Sequence, residues 1–169
     1  MGLLSKLFGG SKTTTVEYEL KPAGTLIDKD GWYYREYQDD DDSPYTIRFE
    51  QDKPGDWEQI VDWCQVAGIN VPERGQNVMN FFFGSYRWLG LEREPDNQYD
   101  PNAIKVIGYS KNQKGRDQAA QIGYVPRETA QTLADADVSK LWPAIRFIRF
   151  PEPGPDPFYS MRFDIYQRK

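Results

Sequence analysis

The sequence predicts an α+β domain that is mostly β and forms a small barrel with two short helices. Most of the chain alternates apolar and polar residues over short stretches, which is the period of half-buried strands, and helical spacing is confined to short stretches. The 169 residues include 5 Trp, 11 Tyr and 9 Phe. These large rings supply the buried area that a single hydrophobic core of this size needs.

The first 12 residues are predicted to form a tail. Leu3, Leu4, Leu7 and Phe8 would share one face of a short helix, and the two glycines that follow would end it. Such a helix either docks on its own domain or anchors the chain to a membrane or a partner. The sequence leaves both roles open.

Residues 13–58 are predicted to form an acidic, β-rich extension. Alternating apolar residues predict strands at residues 13–21, 31–37 and 45–50. Four consecutive aspartates, at positions 39–42, separate the last two of these strands. Their mutual repulsion favours an exposed loop.

The segment from Asp56 to Gly84 contains both helix-like and strand-like patterns of apolar residues. Apolar side chains at helical spacing predict a short helix over residues 57–64, with Asp56 as its N-cap. The β-branched residues that follow predict a strand over residues 66–71. A second helix is predicted over residues 72–83 and ends at Gly84.

The rest of the chain is predicted to be mostly strands. Two alternating strands, at residues 85–94 and 102–110, are followed by a polar hairpin loop at 111–118 and a strand at 119–125.

A short surface helix is predicted over residues 126–137, because Pro126 suits a helix start and the acidic Glu128 falls in the first turn. Two more strands, at 138–150 and 158–169, are joined by the irregular segment "PEPGPDP".

The composition excludes several classes of site. The chain has no His and a single Cys, Cys64, so it can form neither an intramolecular disulfide nor a His-activated nucleophile. Any catalysis would have to use carboxylates, Lys or Tyr, and no cofactor is predicted. No apolar stretch approaches the roughly 18 residues that span a bilayer, and no signal-peptide pattern is present. We therefore expect a cytoplasmic protein without a membrane partner.

The net charge of -5 is concentrated in the N-terminal third. Residues 1–61 carry a charge of -6, residues 62–150 carry +1, and residues 151–169 are neutral. A protein that holds duplex DNA through counterion release normally has a basic excess. Tight, nonspecific duplex binding is therefore not expected.

Two acidic segments contain oxygen ligands that hard cations accept. The aspartates at 39–42 lack the glycine and the distal glutamate of a calcium loop. Glu94, Asp96 and Asp100 would have to converge, and no spacing rule predicts that they do. No metal site is predicted, and a glycosidase-like carboxylate pair has still less support.

One ordered run of residues carries a family signature. The segment "LEREPDNQYDPNAIKV", residues 91–106, is followed after a hairpin by "IGYVPRETAQTL", residues 122–133. Turn chemistry explains its short polar side chains, but the order of the whole run resembles HIRAN domains. The resemblance implies a HIRAN-like domain at residues 59–167 with an OB-like six-stranded barrel.

The resemblance also implies a site for single-stranded DNA ends with a 3′-hydroxyl. By motif position, Tyr99 would lie beside the terminal base and Asp100 would accept a hydrogen bond from the terminal hydroxyl. Arg127 would meet a phosphate, Phe158 would stack on a base, and Tyr124 stands where a DNA-end-binding member of the family has a histidine. A structural alternative exists for Tyr99 and Asp100, in which the ring covers the barrel and the carboxylate closes the turn.

The first strand of the motif departs from the family. Asn70, Val71 and Pro72 stand where an Arg-Tyr-Tyr run would grip bases and backbone. A guanidinium and two rings are missing, and base stacking alone is worth about 1–3 kcal/mol per base. Tyr86 and Trp88 on the next strand are alternative rings, although strand aromatics lie more often in the core.

These observations favour a noncatalytic nucleic-acid-binding module that recognises single-stranded DNA ends or unusual DNA structures through a HIRAN-like groove. The alternative is a protein-interaction or regulatory module that uses the fold as a scaffold. Its acidic extension would then contact a basic partner or cover the groove. An enzyme is not expected, because the chain lacks His, a phosphate-cradling Gly loop and an ordered catalytic motif.

Overall fold

The computed structural model describes residues 31–169 in full, and residues 3–8, 14–19 and 27–29 as backbone strands. Within these residues the chain has eleven β-strands, two α-helices and two short 3-10 helices. The strands are β1 (Leu3–Phe8), β2 (Thr14–Glu19), β3 (Ile27–Lys29), β4 (Trp32–Tyr37), β5 (Thr46–Asp52), β6 (Trp57–Gln65), β7 (Ser85–Arg93), β8 (Ile104–Lys111), β9 (Asp117–Tyr124), β10 (Leu141–Arg149) and β11 (Ser160–Arg168).

The α-helices are α1 (Gly75–Phe82) and α2 (Arg127–Thr132), and the 3-10 helices are Pro72–Arg74 and Val138–Lys140. In this part of the chain, neither helix is long or apolar enough to traverse a lipid bilayer. Two short helices among many strands confirm the prediction of an α+β, mostly β fold. The predicted irregular segment at residues 151–157 has no regular structure.

The strands pair entirely antiparallel in three sheets. Among the described strands, the largest sheet has six strands in the order β3-β4-β5-β10-β11-β6, the second has the order β7-β8-β9, and the third consists of β1 and β2. Strands β3 to β5 of the acidic extension therefore share one sheet with β6, β10 and β11. β5 joins the two parts, since it pairs with both β4 and β10.

The predicted six-stranded barrel does not close. Among the described strands, β7 to β9 form a separate sheet whose ladder does not continue into the six-stranded sheet. Residues 66 and 67 connect these two sheets. Val66 N–H donates to the Met161 carbonyl on β11, and Ala67 exchanges two backbone hydrogen bonds with Tyr124 on β9. A Cβ on Gly123 would lie 2.4 Å from Val66, so a glycine lets this segment cross β9 closely.

The predicted helix over residues 57–64 is wrong, because this segment is β6. Two register shifts interrupt its pairing with β11, and Trp63 has a positive φ of 54°. Each irregularity changes the face that the following side chains occupy, which disturbs the two-residue period and imitates helical spacing. Asp56, the predicted cap, instead forms an ion pair with Arg168 at 2.7 Å.

The predicted strand over residues 66–71 is also wrong beyond Ala67, which makes a single isolated bridge. Gly68 then has a φ of 67°, and the chain turns into the 3-10 helix at Pro72–Arg74. The β-branched residues Ile69 and Val71 therefore lie in or beside a turn and not in a strand. In a short segment, tertiary contacts override strand propensity.

The predicted N-terminal helix is replaced by a strand. β1 pairs in register with β2 from Leu3 opposite Glu19 to Phe8 opposite Thr14. A helix this short is marginal on its own, and the alternating segment that follows supplies an antiparallel partner. The two glycines expected to end the helix lie outside the described residues, and so do the side chains that would dock or anchor it.

One hydrophobic core joins both larger sheets and α1. Extension residues take part, since Trp32, Tyr34 and Ile47 are buried. The buried Glu36 on β4 pairs with the buried Arg87 on β7 at 2.7 Å. Other buried members are Phe81, Phe82, Leu89, Ile104, Ile122, Ile145 and Phe163.

Candidate functional site

The loop between β7 and β8 is organised by its own polar side chains. Glu94 N–H donates to the Ala103 carbonyl at 3.0 Å, which closes the loop at its base. Asn97 Oδ1 accepts from the backbone N–H groups of Tyr99 at 2.9 Å and Asp100 at 3.0 Å. Asp100 Oδ1 accepts from Asn102 N–H at 2.9 Å. Turn chemistry therefore fixes the backbone on which Tyr99 and Asp100 stand.

Tyr99 and Asp100 differ in their surroundings. The Tyr99 side chain is 80% exposed, so its ring does not cover the core. Asp100 is half-buried and closes the turn with one carboxylate oxygen. A carboxylate has two oxygens that each accept hydrogen bonds, so the turn uses only part of its acceptor capacity.

Glu94 links this loop to the end of β9. Its Oε2 accepts from Asn97 Nδ2 at 2.6 Å and from the Tyr124 hydroxyl at 2.8 Å, and Lys105 Nζ lies 3.6 Å from Oε1. The hydrogen bonds from Asn97 and Tyr124, with the Lys105 charge, lower the pKa of Glu94 below its usual range. The guanidinium carbon of Arg74 lies over the Tyr124 ring, 5.3 Å from the ring centre.

A cleft of about 500 Å³ opens beside Phe158. Its walls are residues 65–71, Pro126 and Phe158, whose side chain is 62% exposed. Asn70 Nδ2 donates to the Tyr159 carbonyl at 2.8 Å, and Asn70 Oδ1 accepts from Tyr159 N–H at 2.7 Å. Asn70 thus holds the backbone next to Phe158.

The structure brings only some of the predicted site residues together. Phe158 shares the cleft with Pro126, and Arg127 follows as the exposed first residue of α2. Tyr124 adjoins the cleft through its backbone pairing with Ala67. Tyr99 and Asp100 do not line the cleft, and reach Tyr124 through the Asn97 and Glu94 side chains. The five residues therefore lie along a path rather than in one pocket.

Sequence reasoning missed the structural roles of Glu94, Asn70 and Arg74. Glu94 is the second acidic residue of the motif, after Glu92, and an acid beside a turn asparagine was its only signal. Of the alternative rings, Trp88 stacks on Tyr109 with centroids 3.8 Å apart, whereas Tyr86 is exposed. In the region with described side chains, no three Asp, Glu or Cys groups are placed to hold a metal ion.

In the comparison with known protein families, one family model matches part of the chain. The family model described as the HIRAN domain matches residues 85–141, from β7 to the start of β10. This match confirms the resemblance predicted from the ordered motif, and it contains Tyr99, Asp100, Tyr124 and Arg127. Phe158 lies outside it. No curated protein and no solved structure matches the chain.

Proposed function

Because residues 85–141 form a HIRAN domain, a type of nucleic-acid-binding module, we propose that the chain binds single-stranded DNA ends bearing a 3′-hydroxyl, or unusual DNA structures. The observation that carries this proposal is the exposed Tyr99 ring beside Asp100, on a loop held by side-chain hydrogen bonds. Because the loop that carries Tyr99 is already ordered, stacking of a base on the ring involves no further loss of loop entropy.

Asp100 supplies the selectivity for the end of the strand. Its carboxylate accepts a hydrogen bond from a hydroxyl and repels a phosphate, so it favours an unblocked 3′ end over a phosphorylated one. Asn97 and the turn to Asn102 fix its position. Recognition of the end then depends on one carboxylate and needs no catalytic step.

Affinity in this proposal comes mainly from stacking. Tyr99 and Phe158 expose most of their rings, and the exposed Arg127 is available to a phosphate. Stacking contributes about 1–3 kcal/mol per base and does not require a basic surface. A chain of net charge -5 can therefore bind a single strand while it disfavours nonspecific contact with duplex DNA.

The direct test replaces Asp100 with Asn and measures binding of a 3′-hydroxyl oligonucleotide by fluorescence anisotropy at low salt. The amide oxygen still accepts from Asn102 N–H, so the turn is kept. We expect about tenfold weaker binding, from the loss of a hydrogen bond to a charged acceptor. Discrimination against a 3′-phosphate should fall as well, because the repulsive charge is gone.

Asp96→Asn, a substitution at an exposed position in the same loop, is the matched control and should bind as the wild type does. Equal binding of 3′-hydroxyl and 3′-phosphate strands by the wild-type chain would contradict end recognition. Failure to bind any single strand would contradict the proposed function as a whole.

A second candidate is self-masking or partner contact by the acidic loop between β4 and β5. Asp40 and Asp41 are exposed, whereas Asp42 pairs with Arg48, accepting from Nη2 at 2.9 Å and also from Nε. The loop is thus held against a cation of the six-stranded sheet. Replacing Asp40 and Asp41 with Asn should increase single-strand affinity severalfold at low salt if these charges repel the ligand. Unchanged affinity would exclude masking.

A further inference from the structure

The six-stranded sheet carries a row of aromatic and arginine side chains outside the HIRAN match. Tyr37, Arg48, Phe147 and Arg162 are neighbours in register on β4, β5, β10 and β11. The residues on either side of Arg48 and of Arg162 are buried in the core, and so is Ile148 next to Phe147, whereas these four are half-buried. Arg146, on the other side of Phe147, is exposed beside a register shift. Since successive side chains point to opposite faces of a strand, the row lies on the face away from the core.

Trp63 extends this row on β6. Its side chain is 42% exposed, and its ring centroid lies 5.4 Å from that of Phe147. The Arg146 guanidinium carbon lies 5.7 Å from the centre of the Trp63 ring. Arg162 donates from Nη1 to the Trp63 carbonyl at 3.2 Å. We call these four residues, Trp63, Arg146, Phe147 and Arg162, the Trp63 cluster.

A buried carboxylate holds the cluster in place. Asp164 has no exposed surface; its Oδ1 accepts from Trp63 N–H at 2.8 Å and its Oδ2 accepts from Arg146 Nη1 at 3.0 Å. Burial raises the pKa of the Asp164 carboxyl above its usual range, and the hydrogen bonds from Trp63 and Arg146 act in the opposite direction. The φ of 54° at Trp63 is unfavourable for a side chain larger than Gly. Strained backbone and buried charge that together fix an exposed ring are features of functional sites.

The Trp63 cluster is continuous with the candidate site. A second cleft, of about 460 Å³, is lined by Phe147, Arg162 and Phe158. Phe158 also lines the cleft beside Asn70, so its ring separates two adjoining depressions. A ligand that stacks on Phe158 can therefore extend over Phe147 towards Trp63 without leaving the surface.

We propose that a single-stranded nucleic acid bound at the HIRAN site continues over this face, with successive bases stacked on Phe158, Phe147 and Trp63. The inference rests on the proposed function and adds the path of the strand. Arginines beside the rings favour this occupant, because guanidinium groups both stack on bases and bind phosphates. Arg162 forms no ion pair within the described residues, whereas Asp164 neutralises Arg146. In this proposal, stacking of bases on the three rings contributes more to the binding free energy than the net charge of the face does.

The experiment compares 3′-hydroxyl oligonucleotides of about 4 and about 12 nucleotides, lengths that span the usual site sizes of such modules. The short strand should occupy only the HIRAN site, whereas the long strand should also cross the Trp63 cluster. We expect Trp63→Ala to weaken binding of the long strand by about 5- to 150-fold, the equivalent of one lost stacking contact. Binding of the short strand should not change.

Two variants control for loss of a ring and for folding. Tyr33→Ala removes a ring of similar exposure, 43%, whose register partner on β5 is Asp52, and should bind both strands as the wild type does. Trp63→Phe keeps a stacking ring and should recover most of the long-strand affinity. Ultraviolet cross-linking of the long strand to the wild-type chain, mapped by mass spectrometry, should label peptides that contain Trp63 or Phe147.

The outcomes separate this inference from the proposed function. If the long strand binds Trp63→Ala as tightly as it binds the wild type, the strand does not cross this face; the inference is then wrong, the HIRAN site stands, and a protein becomes the better occupant of the cluster. If the wild type binds neither strand, the proposed function fails, and this inference fails with it.

Discussion

The hydrogen bonds of Glu94 join the two halves of the HIRAN motif. Asn97 reaches it from the loop after β7, and the Tyr124 hydroxyl reaches it from the end of β9. The same Asn97 side chain positions the backbone of Tyr99 and Asp100. Tyr124 is therefore linked to the proposed end-binding residues through two other side chains, Glu94 and Asn97.

Replacing Tyr124 with Phe should destabilise the fold by about 0.5–1 kcal/mol, since one hydrogen bond to a partly exposed carboxylate is lost. The effect depends on pH. The folded pKa of Glu94 is lowered, so the bond adds stability above the usual carboxyl pKa and loses it as the pH falls through the folded pKa.

Urea denaturation of the wild type and of Tyr124→Phe at pH 7 and near pH 3 measures this dependence. We expect a clear difference in the free energy of unfolding at pH 7 and a smaller one in acid. Tyr33→Phe, which alters an exposed ring, should show no difference at either pH. If the difference in the free energy of unfolding is larger near pH 3 than at pH 7, the ionised Glu94 is not the acceptor through which the Tyr124 hydroxyl stabilises the fold.

At the scale of single elements, the sequence predicted most strands from their alternation, even where one register shift interrupts the pairing, as it does between β10 and β11. β4, β8 and β10 with β11 were located from alternation, and the central loop from its Asp, Asn and Pro content. β6 was mistaken for a helix, because register shifts beside Ile165 and the positive φ at Trp63 interrupt its alternation. Both irregularities depend on the pairing partner β11, which lies about 100 residues away in sequence.

The candidate site was predictable only where a contiguous motif carries it. Tyr99, Asp100, Tyr124 and Arg127 lie in one ordered run, which the family match confirms as HIRAN. The Trp63 cluster draws on β6, β10 and β11, so no local pattern brings its members together. Asn70 marked a departure from the family in sequence, but only its two hydrogen bonds to Tyr159 explain what it does instead.

At the scale of the whole molecule, the acidic extension is part of the structure that supports the site. β4 and β5 contribute Trp32, Tyr34, Ile47 and Phe49 to the common core, and β5 pairs with β10. Removing residues 1–55 to test masking would therefore expose apolar surface of the core. Point substitutions in the acidic loop test masking without exposing apolar surface of the core.

The Glu36–Arg87 pair ties the extension to the HIRAN part of the chain. Arg87 Nη1 lies 2.7 Å from Glu36 Oε2, and the guanidinium also donates to the Phe81 and Phe82 carbonyls at the end of α1. Both side chains are buried. Removing one partner leaves a charge in the core, which typically costs about 3–5 kcal/mol.

We therefore expect Glu36→Gln and Arg87→Met each to lower the free energy of unfolding by about 3–5 kcal/mol in urea titrations. The Glu36→Gln, Arg87→Met double variant should lose less than the sum of the two single losses, because neither charge is then left unpaired. Arg35→Met is a surface control on the same strand, β4; it breaks an exposed ion pair with Glu50 on β5 and should cost at most about 1 kcal/mol. If Glu36→Gln costs no more than this surface control, the buried pair is not what holds the extension to the domain, and the shared sheet and core must do so alone.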